Sequence, residues 1–64
     1  MNAKQNYEVA MTAFRAAAQA HRAVKADYRA GKVSDADFLA SVRKCDAVGA
    51  WCDAAEAAVI KEAA

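Results

Sequence analysis

The chain has no proline and only two glycines, so few of its 64 residues interrupt a helix. No stretch free of charged residues approaches the roughly 18 residues that a membrane span needs. The first residues include Lys4 and Glu8 instead of an apolar run, which predicts no secretory leader. These absences favour a reducing cytoplasmic location and no membrane partner.

Residues that carry chemistry are equally scarce. The chain has one histidine, His21, and two cysteines, Cys45 and Cys52, whereas a zinc site needs about four converging ligands. The cysteines are seven residues apart on one predicted helix, roughly 10.5 Å and beyond the roughly 7 Å limit for a disulfide. No glycine-rich phosphate loop and no catalytic pair of carboxylates is present. The sequence therefore predicts no enzyme, no catalytic residue, no metal site and no cofactor.

What remains is alanine-rich helix with one break. Gly31 can adopt the left-handed conformation that ends a helix, and Ser34 is an N-cap residue with Asp37 three positions later. Asn2 and Gln5 form a similar capping pair at the start of the chain. The prediction is a single all-α domain, an antiparallel two-helix hairpin with helix 1 at about 3–30, a turn at 31–34 and helix 2 at about 35–62.

Apolar residues follow alternating steps of three and four along both helices, which defines a main seam between them. Folding the chain about its turn places Tyr28 near Phe38 and His21 near Cys45. The same register puts Gly49 opposite Ala17, as a point of close helix contact. Large residues are then expected to meet small ones across the hairpin.

A second row of small residues runs along each helix, away from the main seam. Because a domain below about 70–80 residues rarely has a sufficient core of its own, this row predicts a homodimeric four-helix bundle. Alanine is also the best helix former, so an exposed alanine row that buries nothing is the alternative. The residues of the predicted dimer seam are Val9, Ala13, Ala16, Ala20, Ala23, Ala40, Ala47, Ala54 and Ala58.

Charge is distributed unevenly between the two halves. Residues 1–32 carry six basic and two acidic side chains, a net +4, whereas residues 33–64 carry three basic and six acidic ones, a net −3. The basic stripe on helix 1 suggests nucleic-acid binding as an alternative function, as in small plasmid-encoded RNA-binding hairpin dimers, which this architecture resembles. A sequence pI near 7.8 favours it less than protein binding. Its candidate residues are Arg15, Arg22, Lys25 and Arg29.

Trp51 is the main candidate for contact with a partner. It is a large aromatic residue among small ones, so it either fills the centre of a bundle or anchors another protein. Lys44 lies beside it on the helix, and Leu39 lies outside both rows and could extend an apolar patch. Trp51, Leu39 and Lys44 are therefore the predicted partner-binding residues.

In length, in alanine content and in the turn that reads AGKVSDADF over residues 30–38, the chain resembles small helical-hairpin proteins encoded by bacteriophages and prophages. That resemblance implies a dimeric hairpin that binds and inhibits a host protein, such as a transcriptional activator of quorum sensing or a component of host defence. It implies no particular contact residue. A purely structural assembly protein is the remaining alternative.

Overall fold

The computed structural model describes residues 2–64 and contains two helices packed against each other. Helix α1 spans Ala3–Arg29 and helix α2 spans Asp35–Ala63. The backbone measures 48 by 15 by 15 Å, and no strand occurs in the described residues. The predicted two-helix hairpin is confirmed. Over residues 2–64, neither helix has a segment long and apolar enough to cross a bilayer.

The ends of the helices are fixed by the capping residues that the sequence predicts. The Asn2 side chain accepts a hydrogen bond from the Gln5 backbone N–H at 2.8 Å, and the Gln5 side chain accepts one from the Asn2 backbone. Gly31 has a φ of +75°, in the left-handed region. Ser34 Oγ accepts a hydrogen bond from the Asp37 backbone N–H at 3.1 Å and starts α2.

Backbone hydrogen bonds after Arg29 close the end of α1. The Lys32 N–H donates to the Asp27 carbonyl at 2.8 Å, and the Gly31 N–H donates to the Tyr28 carbonyl at 3.0 Å. This pair of bonds is a Schellman motif, which requires a residue of positive φ after the last helical turn. A glycine adopts that conformation without steric cost, so the turn reverses the chain within a few residues.

The core between the helices consists of small side chains. Ala10, Ala17, Cys52 and Ala55 are buried, and Ala10 has no exposed surface. Tyr7, Met11, Phe14 and Val48 pack around this centre and are partly buried. No large side chain of the described residues is fully buried. The hairpin is thus thin and buries little apolar surface of its own.

The buried Cys52 and the partly buried Cys45 both reach the backbone of the other helix. Cys52 Sγ donates a hydrogen bond to the Ala10 carbonyl at 3.1 Å, and Cys45 Sγ donates one to the Ala17 carbonyl at 3.4 Å. Both thiols are free. The short cysteine side chains reach these carbonyls because the residue that carries each carbonyl is an alanine, whose small side chain lets the thiol approach. Small residues form the centre of the buried seam, and the larger Tyr7, Met11 and Phe14 pack against it, so the predicted meeting of large with small residues is confirmed there.

The register prediction is confirmed at the turn, whereas the structure differs from it at His21 and Gly49. Tyr28 and Phe38 are in contact, with ring centroids 4.4 Å apart. His21, however, does not face Cys45: its Nδ1 lies 2.8 Å from Ser41 Oγ. Cys45 instead lies by Ala17, about one helical turn nearer the start of α1, because the close alanine–cysteine contacts determine the axial offset.

Gly49 differs from its prediction in the same way. A Cβ atom built on Gly49 meets no atom of α1 within 4 Å, so the residue is not a point of close contact with Ala17. The space beside it belongs to a groove lined in part by Tyr7, Met11 and Phe14. The packing of the hairpin therefore leaves the glycine unexplained.

We expect Gly49→Ala to raise the free energy of unfolding by about 0.5–1 kcal/mol, because alanine is favoured over glycine in a helix and the added methyl group meets no steric obstacle. Urea denaturation followed by circular dichroism measures the change. The reverse substitution at the exposed neighbour, Ala50→Gly, is the matched control and should lower stability by a similar amount. Destabilisation by Gly49→Ala would mean that the glycine is needed for packing after all.

Candidate functional site

One side of the hairpin carries the alanine rows of both helices. Trp51 Nε1 donates a hydrogen bond to Asn6 Oδ1 at 3.3 Å across the two helices, so these two side chains share a side of the molecule. On α1, Val9 and Ala13 follow Asn6 by three and seven residues and lie on the same side as Asn6. On α2, the residues three, four and seven positions from Trp51 lie beside it in the same way. We call this surface the alanine face: Val9, Ala13, Ala16, Ala20, Ala23, Ala40, Ala47, Trp51, Ala54 and Ala58.

Most of the alanine face is open to solvent. Val9 is 46% exposed and Trp51 is 37% exposed, and only Ala13 and Ala58 among its alanines are partly buried. A shallow groove on α1 has an apolar floor of Val9, Ala13 and Ala16 and polar edges. Its edges are Gln5, Glu8 and Thr12. The face thus combines a shallow apolar groove with a half-exposed indole ring whose N–H already has an acceptor.

The three predicted partner-binding residues do not lie together. Lys44 is exposed and lies in the row of Trp51, seven residues before it. Leu39 is 52% exposed but lies about 120° around α2 from Trp51. It shares its row with Asp53, fourteen residues further on. Leu39 therefore belongs to a different surface from Trp51 and Lys44.

A second candidate surface lies on the other side of the hairpin, around Met11. Met11 lines one groove together with Gly49, Asp53 and Glu56 of α2. It lines a neighbouring groove together with Arg15 and Arg22 of its own helix. We call this surface the charged face: Met11, Arg15, Arg22, Gly49, Asp53 and Glu56, with Tyr7 and Phe14 in the floor of the groove. It is basic along α1 and acidic along α2.

The position of the acidic side chains of α2 affects how well the basic stripe on α1 suits nucleic acid. Arg15, Arg22, Lys25 and Arg29 are all exposed, as contact with nucleic acid requires. Two of them, Arg15 and Arg22, border the same surface as the carboxylates Asp53 and Glu56. Because those carboxylates repel phosphates, the charged face suits a partner that carries both signs of charge better than a polyanion.

His21 is engaged in packing. Its ring meets Phe38 edge to face, with centroids 5.6 Å apart at 82°, and its Nδ1 is within hydrogen-bond distance of Ser41 Oγ. Within residues 2–64, no group of three or more His, Cys, Asp or Glu residues is placed to hold a metal ion. The arrangement of His21, Phe38 and Ser41 joins the two helices.

A second polar contact joins the helices beside the turn. Tyr28 OH donates a hydrogen bond to Asp35 Oδ1 at 2.6 Å. This hydrogen bond and the negative charge of Asp35 raise the pKa of Tyr28 above its usual value of 10.0. The phenol is favoured in its neutral, hydrogen-bonding form, so the contact connects the end of α1 with the start of α2.

We expect Tyr28→Phe to lower stability, since the ring contact with Phe38 is kept and only the hydrogen bond is lost. A raised folded-state pKa stabilises the fold fully below the unfolded pKa of about 10, and this stabilisation is lost as pH rises through the folded-state value. The difference in unfolding free energy between wild type and variant should therefore be constant at neutral pH and disappear in strongly alkaline solution. A difference that persists there would show that the phenol–carboxylate contact contributes nothing.

Three contacts at these sites were not predicted from the sequence. They are the Asn6–Trp51, His21–Ser41 and Tyr28–Asp35 pairs. Helical spacing could have placed Asn6 on the alanine face, because Asn6 precedes Val9 and Ala13 by three and seven residues. The pairing of Ser41 with His21 could not be predicted in this way, because it depends on an axial offset that periodicity does not determine.

Comparison of the chain with protein-family models, with curated proteins and with solved structures finds no match.

Proposed function

We propose that the hairpin is a non-enzymatic protein-interaction module that forms a homodimer through its alanine face and binds a host protein. In this proposal the chain is a phage-encoded inhibitor that occupies a surface of a transcriptional regulator or a defence component. The observation that carries the proposal is the alanine face itself, an apolar surface that runs along both helices and that the hairpin leaves uncovered.

The small core supports dimerisation. A core of Ala10, Ala17, Cys52 and Ala55, with no large side chain fully buried, supplies little hydrophobic stabilisation. One side of the hairpin, 48 Å long and 15 Å wide, has a projected area of roughly 700 Å². That is close to the about 800 Å² per partner that a typical specific interface buries. Two hairpins paired through this face would form a four-helix bundle.

Trp51 fits the interior of such a bundle. Its N–H is already satisfied by Asn6, so the remaining ring surface can be buried without leaving a polar atom unpaired. Shallow alanine rows beside it leave room for the ring of the other copy. In this arrangement Trp51 and Lys44 belong to the dimer interface, and the charged face remains available to the host protein, as does the exposed Leu39.

Binding of a host protein rests on the resemblance to phage-encoded hairpins and on the two surfaces. A chain that used the alanine face only to dimerise would still present the charged face, with apolar, basic and acidic groups side by side. Protein surfaces offer matching groups of both signs, whereas nucleic acid offers only phosphates at its backbone.

Affinity capture from bacterial lysate tests the proposal, with half of the lysate treated with nuclease and the bound material analysed for protein and nucleic acid. We expect one host protein near one-to-one with the hairpin in both halves, and the same band in moderate salt. Nucleic acid that disappears after nuclease treatment would contradict the proposal in favour of the basic stripe. An empty lane with higher oligomers of the hairpin would favour a structural assembly protein instead.

A further inference from the structure

The groove over Gly49 is the feature that the packing of the hairpin does not account for. Its floor is apolar and formed by the partly buried side chains of Tyr7, Met11 and Phe14, next to Cys52. Gly49 lies in the middle of α2, where a glycine destabilises a helix by about 1 kcal/mol relative to alanine. Since a Cβ atom there meets nothing within 4 Å, this destabilising residue is not required by contact with α1. Its backbone forms part of the lining of the groove.

The neighbouring groove on α1 is basic, whereas the groove over Gly49 is itself acidic. Asp53 and Glu56 line it on α2. On α1, Met11 and Phe14 extend the apolar surface to Arg15 and Arg22. An occupant is therefore expected to have a central apolar stripe, acidic groups toward α1 and basic groups toward α2. An amphipathic helix presents three such parallel rows on its surface, and a groove between two helices has the shape that a third helix fills.

A second copy of the chain fits this groove poorly. Its own charged face carries the same depression, so two charged faces placed together would leave both floors uncovered. Its alanine face has no row of acidic residues to meet Arg15 and Arg22. A single helix from another protein, in contrast, can insert between α1 and α2.

We propose that an amphipathic helix of the host protein docks in the groove over Gly49. An apolar side chain of that helix lies on Gly49, against Tyr7 and Met11. Its acidic residues pair with Arg15 and Arg22, and its basic residues pair with Asp53 and Glu56. This inference rests on the proposed function, because it takes the partner to be a protein.

A displayed library of designed helical peptides tests the proposal, with the full-length hairpin as the target. Each peptide keeps a helical scaffold and carries randomised apolar, acidic and basic positions. We expect the selected peptides to share an apolar stripe with acidic residues on one edge and basic residues on the other. Failure to select any peptide, or selection of peptides without this charge pattern, would overturn the inference.

Two hairpin variants show whether the selected peptides use the groove. Gly49→Leu fills the space above the floor and should weaken peptide binding by about tenfold or more, while the helical content and the unfolding midpoint are kept or raised. Ala50→Leu adds the same side chain at the exposed neighbouring position and should leave affinity unchanged. Equal binding by wild type and Gly49→Leu would contradict docking over Gly49.

Charge reversal tests the direction of the occupant. Asp53→Lys together with Glu56→Lys should weaken binding of a selected peptide, and a peptide whose basic edge is changed to acidic should recover it. Recovery by a peptide changed on its other edge would overturn the proposed orientation.

The proposed function and this inference fail differently. If a host protein is captured near one-to-one and its binding is unchanged by Gly49→Leu, the groove proposal is contradicted but the proposed interaction module is not. If the wild type binds neither a host protein nor a selected peptide, both proposals are contradicted. A change of the monomer–dimer equilibrium in Gly49→Leu but not in Ala50→Leu would assign the groove to a second copy and overturn the inference.

Discussion

Replacing Ala47 by glutamate is expected to split the proposed dimer into single hairpins. Ala47 is exposed in the hairpin and lies in the middle of the alanine face, between Ala40 and Ala54. In the dimer this replacement would place a carboxylate among apolar side chains, which costs several kcal/mol of desolvation, and the two-fold symmetry introduces it twice. We expect the dissociation constant to rise by roughly 100-fold or more, as measured by sedimentation velocity at micromolar concentration.

The control for this variant lies one turn away on the same helix. Ala50 is also exposed but is not part of the alanine face, so Ala50→Glu adds the same charge with the same helix propensity outside the interface. It should leave the dimer intact. If both variants dimerise like the wild type, or both dissociate, the alanine face is not the dimer interface.

Replacing Ala10 by leucine is expected to destabilise the hairpin strongly. Ala10 has no exposed surface, and its carbonyl accepts the hydrogen bond from the Cys52 thiol. The larger side chain would push the helices apart at a position that is fully buried between them, and overpacking of this kind costs about 1–3 kcal/mol. In a domain whose core supplies only about 3–5 kcal/mol, this is a large part of the stability. Urea denaturation followed by circular dichroism gives the change in unfolding free energy.

Ala26→Leu is the matched variant on the same helix. Ala26 is exposed, so leucine there should change stability by no more than about 0.5 kcal/mol. Ala10→Leu with the stability of the wild type would show that the helices can separate at no cost. The account of the core as a close contact between small residues would then be wrong.

Local signals near the turn were sufficient to predict the hairpin. Gly31 and Ser34 act through their own backbone and side-chain hydrogen bonds, which depend on neighbours within a few residues. The axial offset of the helices depends on residues more than twenty positions apart. Periodicity assigns a residue to a side of its helix but does not determine its axial position relative to the other helix. The cysteine contacts with Ala10 and Ala17 determine that axial position. The sequence alone did not indicate that the thiols would donate hydrogen bonds to backbone carbonyls.

The candidate surfaces were predictable to a similar degree. The alanine rows follow from helical spacing, and the Asn6–Trp51 contact shows that the rows of α1 and α2 lie on one side. The charge difference between the two halves of the chain was visible in the sequence. That Asp53 and Glu56 share a surface with Arg15 and Arg22 was not, because it depends on how the helices rotate against each other.

The most direct test of the account is sedimentation equilibrium of the wild-type chain over a range of micromolar concentrations, with helical content measured on the same samples. We expect a species of twice the 6.8 kDa chain mass that dissociates on dilution, because the alanine face needs a second copy to cover it. A single species of 6.8 kDa with undiminished helicity would contradict it. The exposed alanines would then reflect helix propensity alone.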